Sequence, residues 1–216
     1  MSLQAIHERL PVLEAGASLA GADIAVILLH GRGATAQSMI GLAEILPQER
    51  IAYLAPQAAN HTWYPFSGFD PLERNEPFVS SAFQTISDLI SRLVDDGIPA
   101  DRIGLGGFSQ GACLASEYVA RNPRRYGGLI VLSGALMGPV DSPRDYSGSL
   151  DGTPVLISGA DRDSWVTETQ LRLTAQVMES LGGAVDIEIY PGAEHTIRES
   201  EIAHVWRMIE EQIRVE

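Results

Sequence analysis

Apolar and polar positions follow two rhythms along this 216-residue chain. Short unbroken apolar runs alternate with longer segments whose apolar residues recur at three-to-four spacing. Ile24–Leu29 is all β-branched, leucine or alanine, the pattern of a strand buried on both faces. Positions 51–54, 103–108, 129–133 and 155–158 read the same way. Positions 185–190 instead place Val185, Ile187 and Ile189 on one face and Asp186, Glu188 and Tyr190 on the other, which suits a strand nearer an edge.

Between these runs lie helical patterns. Val79, Ala82, Phe83, Ile86, Leu89, Ile90, Leu93 and Val94 imply a long helix closed near Gly97. Leu173, Val177, Met178 and Leu181 define another, stopped by Gly182 and Gly183. A third runs through Ile202, Val205, Trp206, Ile209 and Ile213, and shorter ones are expected over 37–46 and after Gly111. Strands alternating with helices predict an α/β fold with a mainly parallel central sheet flanked by helices, as one domain over 1–216. Such folds place ligands beyond the carboxyl ends of the strands. Two long loops lie between the regular elements. One, 55–77, holds Trp63, Tyr64, Phe66 and Phe69; it is expected to touch substrate. The other is 135–153.

Composition narrows the chemistry. The net charge is −13, and all 15 basic side chains are arginine. Without lysine there is no Schiff base, no P-loop or kinase lysine and no serine–lysine dyad. The acidic balance argues against nucleic acid as a partner. A single cysteine, Cys113, excludes an intramolecular disulfide and a cysteine-based metal cage. No run approaches the roughly 20 apolar residues of a membrane span, and the start of the chain lacks a signal-peptide layout. The chain therefore reads as cytoplasmic.

One motif carries chemistry. Gly107-Phe108-Ser109-Gln110-Gly111 is a G-x-S-x-G between a buried strand and a helical stretch ended by Asn122-Pro123. A serine on a sharp strand-to-helix turn is the nucleophile of acyl transfer, and the glycines flanking it avoid clashes across the turn. Its hydroxyl needs a base. Of five histidines, His195 follows the last strand on a loop and is the candidate base. His30 is expected to shape a turn and His61 to stabilise its loop. His7 is expected in a disordered start, and His204 facing solvent. The carboxylate orienting the base should follow the strand at 155–158, where Asp161 and Asp163 both stand. The oxyanion hole should use the backbone N–H of Gln110 and that of Arg32, in the loop His30-Gly31-Arg32-Gly33.

These pieces together resemble the α/β-hydrolase superfamily, and within it the phospholipase/carboxylesterase family that includes acyl-protein thioesterases. The matching segments are LLHGRG at 28–33, AP at 55–56, WY at 63–64, GFSQGA at 107–112, LSG at 132–134 and the D-x-x-V at 163–166. The resemblance implies an α/β-hydrolase fold with no separate cap domain. It implies a serine carboxylesterase that hydrolyses small-molecule esters through Ser109, Asp163 and His195 and needs no metal or organic cofactor. It selects Asp163 over Asp161, because the family's acid precedes a valine by three positions. Two departures stand out: Thr167 replaces the family's usual proline, and Arg32 occupies a position that is usually apolar. The Arg32 side chain is expected either to line the mouth and favour an anionic substrate, or to pair with an acidic neighbour. Substrate contacts are assigned to Trp63, Tyr64, Phe66 and Trp165, and Cys113 to packing. Homodimers are common among such small esterases. Lysophospholipase and thioesterase activity use the same residues, acyl transfer to an alcohol would need an added nucleophile, and a non-enzymatic ligand-binding protein would be expected to lack one of them.

Overall fold

The computed structural model describes residues 6–214. Seven strands form one sheet: β1 (Val12–Gly16), β2 (Ile24–Leu29), β3 (Ile51–Pro56), β4 (Ile103–Phe108), β5 (Gly128–Leu132), β6 (Pro154–Ala160) and β7 (Ala184–Tyr190). Their spatial order is β1-β3-β2-β4-β5-β6-β7. Only β1 runs antiparallel, against β3; every other pairing is parallel. The helices are α1 (Ala36–Ala43), α2 (Phe78–Asp95), α3 (Gln110–Arg121), α4 (Glu168–Ser180) and α5 (Glu199–Arg214). This is the α/β-hydrolase fold.

The continuous apolar runs follow from two cores, one on each face of the sheet. In β2, Ala25, Ile27 and Leu29 join a core shared with α2, α3 and α4, while Ile24, Val26 and Leu28 join a second core with α1 and α5. A strand with helices on both sides has no polar face to show. β7, at the end of the sheet, alternates as its sequence predicts: Val185, Ile187 and Ile189 pack against the first core while Asp186 is exposed. The strands expected at 51–54 and 155–158 run longer, to Pro56 and from Pro154 to Ala160. The helix expected over 37–46 is shorter, Ala36–Ala43, and is capped by Thr35, whose hydroxyl accepts from the Ser38 amide.

One strand was not foreseen, and one expectation is corrected. β1 had no continuous apolar run to announce it: as an edge strand it only half-buries Val12, Leu13 and Ala15 and leaves Glu14 outward to pair with Arg92. His7 does not belong to a disordered start. It is buried, its amide donates to Ser81 Oγ (2.9 Å), its Nε2 meets Trp63 O (2.9 Å), and its Nδ1 accepts from the Ala59 amide (3.1 Å).

All parallel strands point the same way, so the loops after β2, β4, β6 and β7 meet at one edge of the sheet. No helix among the described residues is long and apolar enough to cross a membrane.

Candidate active site

Ser109 stands between the end of β4 and the first residue of α3, with φ +55° and ψ −117°. A non-glycine residue reaches positive φ only where its surroundings enforce it. Here the enforcement is close packing. A Cβ on Gly111 would lie 2.1 Å from Leu29 O, and one on Gly107 would lie 2.6 Å from Gly111 C. The glycines let β4 and α3 approach this closely, and the turn pushes the serine side chain out of the sheet edge. The Ser109 amide donates to Leu132 O (2.9 Å), which ties the turn to β5.

Two loops bring their side chains to Ser109. His195 Nε2 lies 2.8 Å from Ser109 Oγ, and His195 Nδ1 lies 2.6 Å from Asp163 Oδ2. The second carboxylate oxygen of Asp163 accepts from the amides of Trp165 (2.7 Å) and Val166 (3.1 Å). Those bonds hold the carboxylate in one orientation, and burial shields it from water. The Phe108 ring packs on the imidazole at 4.9 Å between centroids.

Asp161 does not reach the histidine ring. Its Oδ1 accepts from the Gly192 amide (2.7 Å), so it ties the loop after β6 to the loop carrying His195 instead. Thr167 has its own employment. With Gln170 it forms a reciprocal capping box at the start of α4, its amide donating to Gln170 Oε1 (2.8 Å). A proline there would remove that amide donor.

Gln110 opens α3, so its amide is one of the donors a helix leaves without an internal partner. In the loop after β2, the Gly33 amide donates to His61 O (2.7 Å) and the Ala34 amide to Gly31 O (3.1 Å). The Arg32 amide makes no hydrogen bond among the described residues. Gly31 lies against this elbow: a Cβ on it would sit 3.5 Å from Ser109 Cβ.

The side chains of Arg32 and Gln110 hold the aromatic loop. Arg32 donates to Pro65 O (2.8 Å) and Phe66 O (2.5 Å). Gln110 Oε1 accepts from the Trp63 amide (2.8 Å), and its Nε2 donates to Tyr64 O (2.8 Å). Asn75 accepts from the Phe66 amide (2.9 Å) and donates to Ser67 O (2.8 Å). Of the two expectations for the Arg32 side chain, the first holds in its geometry: Arg32 lines the mouth of the cleft, it pairs with no carboxylate among the described residues, and its guanidinium donates to loop carbonyls. Sequence reading had no signal for this, because the acceptors are backbone oxygens more than thirty residues away.

A cleft of about 490 Å³ opens over Ser109 and His195, walled mainly by Tyr64, Phe66, Phe69, Phe108, Trp165 and Val166. Three of the four residues assigned to substrate line it. Trp63 does not, and that assignment is corrected. It is fully buried, donates from its indole to His30 O (2.9 Å), and packs against the rings of His7 and His30. Tryptophan's large apolar area suited it to anchor the loop rather than line its surface. Cys113, one turn along α3, also borders the cleft; it is buried, and burial pushes its thiol up to about 11.

The remaining histidines are structural. His30 donates from Nδ1 to Gly31 O (2.8 Å) and accepts the Ala58 amide at Nε2 (3.0 Å), shaping the turn after β2. His61 Nδ1 lies 3.2 Å from Ala34 O, so it ties its loop to the loop after β2. His204 is not solvent-facing as expected: it sits between Glu188 (2.8 Å) and Asp186 (3.4 Å) of β7.

The sequence profile of the phospholipase/carboxylesterase family matches residues 17–213. The chain belongs to that family. Its members are serine ester hydrolases, and this protein is one of them. An acyl-protein thioesterase 1 of Debaryomyces hansenii is 26% identical, with 97% of this chain and all of that protein covered. The crystal structure of a phospholipase/carboxylesterase from Dyadobacter fermentans superposes with a TM-score of 0.90 at 38% identity, covering 94% of this chain and 97% of that one. The structure of esterase PE8, at 22% identity, shares the fold with a TM-score of 0.75, covering 93% of this chain and 97% of that one.

Proposed function

We propose that this family member hydrolyses uncharged carboxylic esters through an acyl-enzyme on Ser109. The observation that carries the reading is the continuous path from Ser109 Oγ through His195 to Asp163, at 2.8 and 2.6 Å. A serine hydroxyl becomes a useful nucleophile only when its proton has somewhere to go. Ser109 Oγ attacks the ester carbonyl carbon while His195 Nε2 takes the hydroxyl proton. The carbonyl oxygen gains the charge, and the amides of Arg32 and Gln110 donate to it. Collapse breaks the bond to the alcohol oxygen, which leaves with the proton from His195. Water then repeats the sequence on the acyl-serine: His195 takes one water proton, the hydroxide oxygen joins the carbonyl carbon, and Ser109 leaves with that proton as the acid departs. Asp163 holds the ring and stabilises the imidazolium without taking the proton itself.

Two features favour an uncharged, apolar substrate. The cleft is walled by aromatic and aliphatic side chains, and the guanidinium nearest it already donates to Pro65 O and Phe66 O. An anionic acyl group would meet the Arg32 charge only at the rim, with two of its N–H groups already turned to those carbonyls, in a protein of net charge −13.

The test is labelling with a fluorophosphonate probe together with turnover of p-nitrophenyl butyrate. Wild-type protein should be modified at Ser109, and Ser109→Ala and His195→Ala should each abolish turnover. An unlabelled Ser109 in folded protein, or substantial turnover by either variant, would remove this mechanism. A second reading, hydrolysis of acyl thioesters, is supported by the fungal relative named as an acyl-protein thioesterase, which is matched over its full length. Thioester and oxygen-ester turnover compared at equal chain length separate the two.

A further inference from the structure

The histidine that meets Ser109 sits on an eight-residue connection between β7 and α5. Its ring bonds to Asp163 and Ser109, but neither bond holds its backbone. That backbone is gripped from both sides by one guanidinium: Arg198 donates to Glu194 O and to Thr196 O (3.2 Å), the carbonyls on either side of His195. Arg198 is itself held. It lies over the Tyr190 ring at 4.9 Å and pairs with Glu201 at 3.2 Å. Glu201 is fully buried in the first turn of α5. One of its oxygens also accepts the Arg198 amide (2.7 Å), and the other accepts the hydroxyl of Ser158 on β6 (2.6 Å).

A buried carboxylate is costly unless its charge is paired and its lone pairs are used. Anchoring α5 alone would need only an apolar contact between α5 and β6. Glu201 instead links β6 to an arginine that also donates to two carbonyls of the histidine loop. We propose that Arg198 and Glu201 are positioning residues for the hydrolysis, setting the backbone of residues 194–196 so that the His195 ring meets Ser109 and Asp163 together. This rests on the reading of His195 as the base.

The experiment measures kcat, KM, the fluorophosphonate labelling rate and the melting temperature of Arg198→Leu, Arg198→Lys and Glu201→Gln, with p-nitrophenyl butyrate as substrate. A misplacement of 1 Å costs about 100-fold in rate, so Arg198→Leu should lose roughly 10- to 100-fold in kcat and in labelling rate, with KM within about threefold. Lysine keeps the charge and three donors, so Arg198→Lys should recover about tenfold over the leucine variant. Glutamine keeps the shape of Glu201, and the Ser158 hydroxyl can turn to accept from it, so Glu201→Gln should lose about three- to tenfold in kcat. Full kcat in Arg198→Leu overturns the proposal. So does a loss shared equally by the leucine and lysine variants, or one confined to KM, since those mark a role in folding or binding. Should Arg198→Leu fail to fold, full kcat in Glu201→Gln overturns it. Ser109→Ala is the control: turnover surviving there sinks the serine mechanism, whereas its loss beside an active Arg198→Leu sinks only this inference.

Discussion

Asp163→Asn tests the carboxylate at the level of single protons. In the native protein Asp163 only accepts: Oδ2 from His195 Nδ1, Oδ1 from the amides of Trp165 and Val166. An asparagine must turn its amide one way or the other. With its oxygen toward the two amides, both backbone bonds survive and its NH₂ faces His195 Nδ1. With the amide reversed, NH₂ faces two N–H donors, and two bonds are lost at about 1–3 kcal/mol each. The first arrangement therefore wins by several kcal/mol. It makes Nδ1 an acceptor, places the ring proton on Nε2, and leaves the nitrogen facing Ser109 Oγ unable to take a proton. A wrong tautomer of this kind costs about 10⁴-fold in kcat, or roughly 5 kcal/mol. The expected outcome is a fall of about 10³- to 10⁴-fold in kcat on p-nitrophenyl butyrate, with a melting temperature close to wild type because the backbone bonds persist. Asp161→Asn is the internal comparison. Its oxygen can still accept from Gly192, so kcat should stay within about threefold. If folded Asp163→Asn keeps more than a tenth of wild-type kcat, or Asp161→Asn loses more, the tautomer reasoning is wrong.

Arg32→Leu keeps the backbone amide assigned to the oxyanion but removes two exposed hydrogen bonds to the aromatic loop; at roughly 0.5–1.5 kcal/mol each, KM should rise about 5- to 150-fold for p-nitrophenyl octanoate and much less for the acetate, and equal changes for both would refute a role in shaping the cleft. Cys113 is buried and its thiol is raised to about 11, leaving about a thousandth as thiolate at pH 8. Dithionitrobenzoate should therefore react slowly with the native protein and at once in guanidinium; fast native reaction would contradict the packing role. Burial lowers the pKa of both His7 and His30, against smaller opposing contributions from their backbone bonds. The unfolded chain then binds more protons below its ordinary histidine pKa of about 6.5. Stability is fully present above that pH and falls as the pH drops toward the lowered native values, so the melting temperature should decline between pH 7 and 5.5; a flat profile over that interval would show that these histidines are not held neutral.

The strands that read most clearly were those with helices on both faces, because burial on both sides leaves no polar position to interrupt the run: β2 and β4 match their sequence patterns residue for residue. β1 was missed because this edge strand is only partly covered and its five residues carry a glutamate and a glycine. In the site, Ser109 was legible from local geometry alone, since a glycine-flanked serine between a strand and a helix has few other uses. His195 was legible from its place after the last strand.

The sequence by itself determined the order of elements from β2 onward, the parallel sheet and the candidates for nucleophile and base, because each is written in residues adjacent along the chain. The tertiary structure alone decided what depends on direction and distance. Asp161 and Asp163 differ by two positions, and only the course of the loop sends one to the histidine ring and the other to the Gly192 amide. Trp63 and Tyr64 are neighbours, yet one is buried beneath the loop and the other lines the cleft. Arg32 and Arg198 carry no mark of their partners in sequence. Both end on backbone carbonyls, and a carbonyl has no residue identity to read until the chain is folded around it.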